Sequence, residues 1–169
     1  MIQLPKVLKN MNLFVDGRGY AGRVDEIQLP KLTLKTEEHR AGGMDVPVEI
    51  DLGMEKLEAE LTISDYDPEV FKLFGLLDNA ATQITVRGAI QAQGEGAKPV
   101  TINLRGGWKA IEPSSWKPGD KSTLKVSVAA SYYKLTIDGQ ELIEIDAINL
   151  VRKVGGVDQM AKVRQAIGL

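Results

Sequence analysis

The stretch VPVEIDLGMEKLEAELTIS, Val46–Ser64, decides how this chain folds. Its apolar residues stand at even positions as Val48, Ile50 and Leu52, then at odd positions as Leu57, Ala59, Leu61 and Ile63. Alternation with period two is the pattern of a strand buried on one face. A one-residue slip turns every side chain to the other face, so the change of parity requires a bulge or bend near Gly53–Lys56. The acids between them, Glu49, Asp51, Glu55, Glu58 and Glu60, form a row of like charge that must face water.

Working outward, LPKLTLKTEEHRAGGMD (Leu29–Asp45) places Leu32 and Leu34 between Lys31, Thr33 and Lys35, which predicts a strand over Asp25–Glu37 and a loop over Glu38–Val46. Upstream, a strand at Asn12–Val15 runs into the turn DGRG. Downstream, DYDPEVFKLFGLLDNA predicts a helix capped by Asp67, with Pro68 in its first turn and Val70, Phe71, Phe74 and Leu77 as its apolar stripe. Strands follow at Gln83–Gln91 and Val100–Arg105, joined as a hairpin through AQGEGAKP. A loop, EPSSWKPGDKS, introduces a last hairpin of Leu124–Ile137, the turn Asp138-Gly139, and Glu141–Leu150. The tail predicts a short amphipathic helix from about Asp158, with Met160, Val163 and Ile167 as its stripe. The chain therefore reads as mainly β with two helices, a single domain over residues 1–169.

Composition narrows the function. At 169 residues the chain can bury a core, and zero cysteines exclude disulfides and thiolate metal sites. MIQLPKVLKN lacks the apolar core of a secretory signal, and no apolar run approaches a membrane span, so a soluble protein made in the cytosol is expected. A net charge of -2 with 5% aromatic residues is a poor footprint for gripping nucleic acid.

Three patterns resemble catalytic or binding motifs and fail on context. GRGYAG, Gly17–Gly22, matches a dinucleotide fingerprint with Glu37 about twenty residues on, but a strand and then Pro30 follow where a helix start is needed to meet pyrophosphate. His39, the only histidine, stands among Glu37, Glu38 and Arg40 with no cysteine or second histidine, which suits a surface contact rather than catalysis or metal ligation. The acids Glu49, Asp51, Glu58 and Glu60 lie side by side rather than across a bound sugar, which does not suit glycoside hydrolysis. No catalytic, cofactor-binding or metal-ligating residue is assigned.

Two long stretches, LPKLTLKTEEHRAGGMD with VPVEIDLGME and the C-terminal YYKLTIDGQELIEIDAINLVRKVGGVDQMAKVRQAIGL, resemble the major tail tube proteins of contractile-tailed bacteriophages and R-type pyocins, in order and spacing over essentially the whole chain. The resemblance implies two packed antiparallel sheets forming a sandwich or barrel with a flanking helix. It further implies a homohexameric ring with a continuous lumenal β-barrel, stacked into a tube inside a sheath. The partners implied are the sheath protein, a baseplate or initiator and a tape-measure protein, with DNA only in transit, no membrane binding and no cofactor. The place implied is the virion tail or pyocin particle, assembled in the bacterial cytoplasm. Carried onto this chain, the lumen strands are Asp25–Glu37, Val46–Ser64, Gln83–Gln91 and Val100–Arg105, with Glu49, Asp51, Glu58 and Glu60 facing Lys31, Lys35, Arg87 and Arg105 across the bore. The ring-to-ring loop, Glu38–Val46, would present Glu38, His39, Arg40, Gly42, Gly43, Met44 and Asp45, with the glycines giving flexibility. Two alternatives stand beside it: the tube of a type VI secretion system, and a monomeric β-sandwich that binds a ligand.

Overall fold

The computed structural model describes residues 2–75 and 82–169. Strand β1 (Val7–Val15) is longer than the Asn12–Val15 expected, and turns through Asp16 and Gly17, both at positive φ, into the two-residue β2 (Arg18–Gly19). Next comes β3 (Val24–Gln28) and then, after a break, β4 (Leu34–His39). The single strand expected over Asp25–Glu37 is thus two. The break contains Pro30, which is buried and has no N–H to give to a ladder.

The parity change in Val46–Ser64 is a true break. Strand β5 (Val48–Met54) ends one residue past Gly53, whose φ is +103°, and only Glu55 and Lys56 separate it from β6 (Leu57–Ile63). Both segments keep their alternation but join different sheets: β5 pairs only with β4, while β6 pairs with β3.

The flanking helix α1 is a single turn, Pro68–Phe71. Asp67 caps it as expected, its carboxylate accepting the Glu69 N–H at 3.0 Å and the Tyr20 hydroxyl proton at 2.8 Å. The expected stripe is corrected: Val70 is fully buried, whereas Phe71 and Phe74 are exposed, and Leu77 lies outside the described residues. The core position belongs instead to Trp108, fully buried beneath the turn, whose indole N–H donates to the Val70 carbonyl at 2.9 Å. Gly75, at φ +83°, then leaves the helical path and donates its N–H to the Trp108 carbonyl.

Strands β7 (Thr82–Gln91), β8 (Lys98–Pro113) and β9 (Leu124–Ile137) form a meander completed by β10 (Gln140–Asp146). The β9–β10 turn has Asp138 at φ 51° and Gly139 at φ 79°, the two positive angles that make Asp-Gly the preferred pair there. The strand expected to reach Leu150 stops at Asp146, and two short strands, β11 (Val151–Val154) and β12 (Val157–Asp158), follow in the tail where only a helix was expected. The last helix, α2 (Ala161–Ile167), starts later than Asp158. Its expected stripe is also corrected, since Val163 and Ile167 are exposed and the element buries no residue. Arg164 fixes it instead, donating to the Asp158 carboxylate and to the Leu150 carbonyl, both at 2.6 Å.

Ten strands make one antiparallel sheet, ordered β12-β11-β10-β9-β8-β7-β1-β2, with β6 and β3 branching from β9. The branch arises because β9 pairs with β6 through Leu124–Ala130 and with β10 through Tyr132–Ile137. The two layers of the expected sandwich are therefore two arms of one bent sheet. They close on a shared core in which Leu13, Val15, Ile84, Ile102 and Leu104 meet Leu57, Leu61, Ile63, Leu124, Val126 and Val128.

The bend coincides with register shifts in β8 at Arg105/Gly106 and Trp108/Ala110. A Cβ at Gly106 would lie 2.2 Å from the Ala129 carbonyl oxygen and 2.8 Å from the Ala130 Cα, so only glycine lets the strands pass. Gly106→Val is expected to lower the unfolding free energy by at least about 2 kcal/mol in urea titrations. Gly96→Val, at a loop glycine with nothing within 4 Å of an added Cβ, is expected to change it by under about 0.5 kcal/mol. Equal effects would refute the close crossing as the reason for the glycine.

Candidate assembly surface

The β4–β5 hairpin stands apart from this core. Every residue of β4 is exposed, as is β5 up to Leu52, including Leu34, Val48, Ile50 and Leu52. Neither strand pairs with any other described strand, so both outer edges present backbone groups to their surroundings. A lone two-stranded hairpin is marginally stable in water, and apolar side chains exposed on it need a partner surface.

Cross-strand partners share a face, so the register sorts the side chains. Glu37 opposite Ile50 and His39 opposite Val48 put one face together as a mixture of apolar and charged groups. Thr36 opposite Asp51 and Glu38 opposite Glu49 make the other face acidic, with one directly opposed pair of like charges. Lys35 stands on the Ile50 face, away from Glu49 and Asp51, where strand parity alone had grouped it with them. The cause is the pairing register itself, which sets Thr36 opposite Asp51 and Glu37 opposite Ile50, so that odd positions of β4 meet even positions of β5.

At its base the hairpin is tied to the body. Asp51 accepts the Gly53 N–H at 2.7 Å and an Arg152 N–H from β11 at 2.9 Å, and the Glu55 N–H donates to the Thr33 carbonyl at 2.9 Å. The Gly53 N–H and then Arg152 hold the Asp51 carboxyl below its usual range. At the tip, the residues expected to reach a neighbouring ring sit together. Glu38 and His39 end β4, and Arg40, Gly42, Gly43, Met44 and Asp45 form the connection. Gly43 has φ +85°, and the Met44 N–H closes a tight turn on the Ala41 carbonyl at 3.1 Å. The Ala41 N–H meets the Met44 sulfur at 3.4 Å and Arg40 donates to the Met44 carbonyl at 3.3 Å. The glycines thus build a braced turn rather than a slack loop.

The remaining charged residues assigned to a bore fall on two separate patches. Glu58 and Glu60 occupy the outer face of β6, opposite its buried Leu57, Ala59 and Leu61. Glu58 is paired with Lys109 and Lys56, and Glu60 with Lys125 at 3.2 Å. These lysines hold the Glu58 carboxyl below its usual range. Lys31, between β3 and β4, borders a groove that Glu58, Glu60 and Lys109 also line. Arg87 and Arg105 lie on the other arm: Arg87 stands 5.8 Å from the Phe14 ring centroid, and Arg105 stands 4.2 Å from that of Tyr132 and 3.9 Å from Asp146. Within one subunit the acids therefore meet Lys56, Lys109, Lys125 and Arg152. Sequence periodicity missed Lys109, Lys125 and Arg152 because other strands bring them in, while Lys56 stands two residues before Glu58 in the same stretch. Among the described residues, no group of three or more His, Asp or Glu could hold a metal ion.

The model of the family described as phage tail tube protein FII matches residues 5–168. The chain belongs to this phage tail tube family. It is 36% identical to the tail tube protein of Escherichia phage P2, covering 98% of this chain and 99% of the relative. It is 31% identical to the major tail tube protein of Serratia phage KSP20, with 98% of each covered. Among solved structures, the fold is similar to a chain of the PVC extracellular contractile injection system sheath–tube complex, with TM-score 0.60 at 12% identity over 78% of this chain and 91% of that one. It is similar also to a chain of the PVC sheath/tube terminator, with TM-score 0.62 at 11% identity over 80% and 99%.

The ion pairs give the subunit an acid-sensitive frame. Asp51, Glu58, Asp67 and Asp158 all have folded-state values pulled below their ordinary range by hydrogen-bonded partners. Their contribution is complete above the unfolded values of about 4 and is lost as pH falls through the lower folded ones. Stability in urea is expected to be flat from about pH 7 to 5 and to decline below about pH 4; no decline down to pH 3 would contradict these pairings. Asp51→Asn is expected to leave the core intact at pH 7 while speeding trypsin cleavage at Arg40, since it removes the ion pair that ties the hairpin down.

Proposed function

We propose that this chain is the tube subunit of a contractile phage-type tail, a structural protein whose work is to assemble. Membership of the tail tube family over nearly the full chain supports this reading. The observation that carries it is the β4–β5 hairpin, which leaves the core with apolar side chains exposed and both edges open. Such an element is a liability in a monomer and an interface in an array.

In the proposed assembly six copies close into a ring, and edge strands of neighbouring copies complete one another's ladders around a lumen. The rings stack through the braced tip at Glu38–Asp45. A sheath surrounds the tube, a baseplate initiates it, a tape-measure protein sets its length, and the tube is built in the bacterial cytoplasm before becoming part of the virion tail. DNA passes through, or ions do in a headless particle. A bore carrying Glu49, Asp51, Glu58 and Glu60 repels phosphates more than it grips them, even with lysines interspersed, so the cargo slides.

Deleting Arg40–Asp45 is expected to leave a folded subunit that forms no stacked tubes by electron microscopy; normal tubes from that variant would refute the stacking role. Glu58→Lys with Glu60→Lys is expected to leave tubes intact while slowing DNA release from particles. Unchanged release kinetics would remove these two residues from the bore.

A further inference from the structure

Two features at opposite ends of the subunit fit each other. One is an apolar groove of about 430 Å3 between the base of the β4–β5 hairpin and the edge formed by β9, β10 and β11, walled by Met54, Leu57, Ile145, Leu150, Val151 and Met160. The other is the segment Ile2–Lys6, IQLPK, which lies outside any helix or strand, is exposed throughout, and presents Ile2 and Leu4 on alternate positions. Ile2 is 91% exposed, more than any other large apolar residue described.

The segment cannot reach the groove of its own chain. It leaves the sheet at Val7, which pairs with Gln91, near the end of the sheet where Val100 meets Ile137. From β1 to β9 the sheet order runs through β7 and β8, three steps or about 14 Å across. From Ile137 back to Ser131, which lines the groove, β9 covers about 20 Å at right angles to that. The separation is therefore about 25 Å. Five extended residues span at most about 17 Å.

Charge points the same way. From Ile2 to Val15 the chain has two lysines, Lys6 and Lys9, and no acid. The charged residues lining the groove are Glu55 and Asp146 against Lys56 and Arg152; Lys56 is paired with Glu58, Arg152 with Asp51 and Asp146 with Arg105. Glu55 lines the groove itself and has no ion-pair partner among the described residues.

We propose that the Ile2–Lys6 segment of one copy lies in this groove of the next copy, with Leu4 and Ile2 filling its apolar floor and Lys6 meeting Glu55. The proposal rests on the tube-subunit reading and adds a named contact to it. Because segment and groove sit at opposite ends of the subunit, the contact is head-to-tail and repeats without limit, as a growing tube requires.

The chain has no cysteine, so two introduced ones report on each other alone. The double variant Leu4→Cys, Ala147→Cys places one thiol on the segment and one on the groove lining, both at exposed positions. Oxidised after assembly, it is expected to run as a ladder of covalent oligomers on non-reducing gels, with each single variant giving at most dimers. Leu4→Asp is expected to raise the protein concentration needed for tubes at least about ten-fold, the loss expected for one buried leucine. Tubes by electron microscopy with no ladder would overturn the segment–groove contact and leave the tube reading standing. A ladder without tubes would support the contact and refute the tube; neither tubes nor ladder would overturn both.

Discussion

At Gly106 the backbone of β8 crosses β9 so closely that an added Cβ would sit 2.2 Å from the Ala129 carbonyl. That contact allows two long strands to bend together, and the bend gives β9 two different neighbours along its length, β6 and then β10. The core follows from it, because the two arms of one sheet close on the same set of apolar side chains. Trp108, two residues past the crossing, fills the space beneath α1 and ties the helical turn down through the Val70 carbonyl.

With the core satisfied by ten strands, the remaining pair has no place in it. The break at Gly53–Lys56 sends β5 away from the body and leaves the β4–β5 hairpin held by Asp51, Arg152 and a single backbone bond at its base. The hairpin's Leu34, Val48, Ile50 and Leu52 take no part in the buried core, and in the proposed tube other copies cover them. In the proposed tube this division is functional: a rigid sandwich sets the spacing of the rings, and the projecting element makes the contacts between copies. Charged groups on the outer face of β6 are locally neutralised by Lys56, Lys109 and Lys125. Such a surface stays hydrated and holds a passing polyanion weakly.

Much of this was legible wherever the deciding chemistry is local. Asp16-Gly17 and Asp138-Gly139 read as turns because the pair tolerates two positive φ angles, and Asp67-Pro68 read as a helix start because capping needs only neighbouring residues. The parity change in Val46–Ser64 located the break, since one face must stay apolar along each segment. What escaped depends on distant partners. The second half of β8 was hidden because Gly106-Gly107 resembles a strand end, while the crossing that demands a glycine is visible only beside Ala129. Phe71 and Phe74 fit a helical stripe, yet Trp108 from another strand had already taken the core position. Lys35 fell on the other face from Asp51 through the cross-strand register, Thr36 opposite Asp51, which alternation within one strand cannot reveal.

The claim on which the rest hangs is that the β4–β5 hairpin is completed by neighbouring copies. Hydrogen exchange read by mass spectrometry on the same protein, first as dispersed subunits and then as assembled tubes, tests it directly. Fast exchange is expected across Leu34–Met54 in the subunit and strong protection there in the tube, with β8 and β9 protected in both states. Equal exchange of the hairpin in the two states would contradict it.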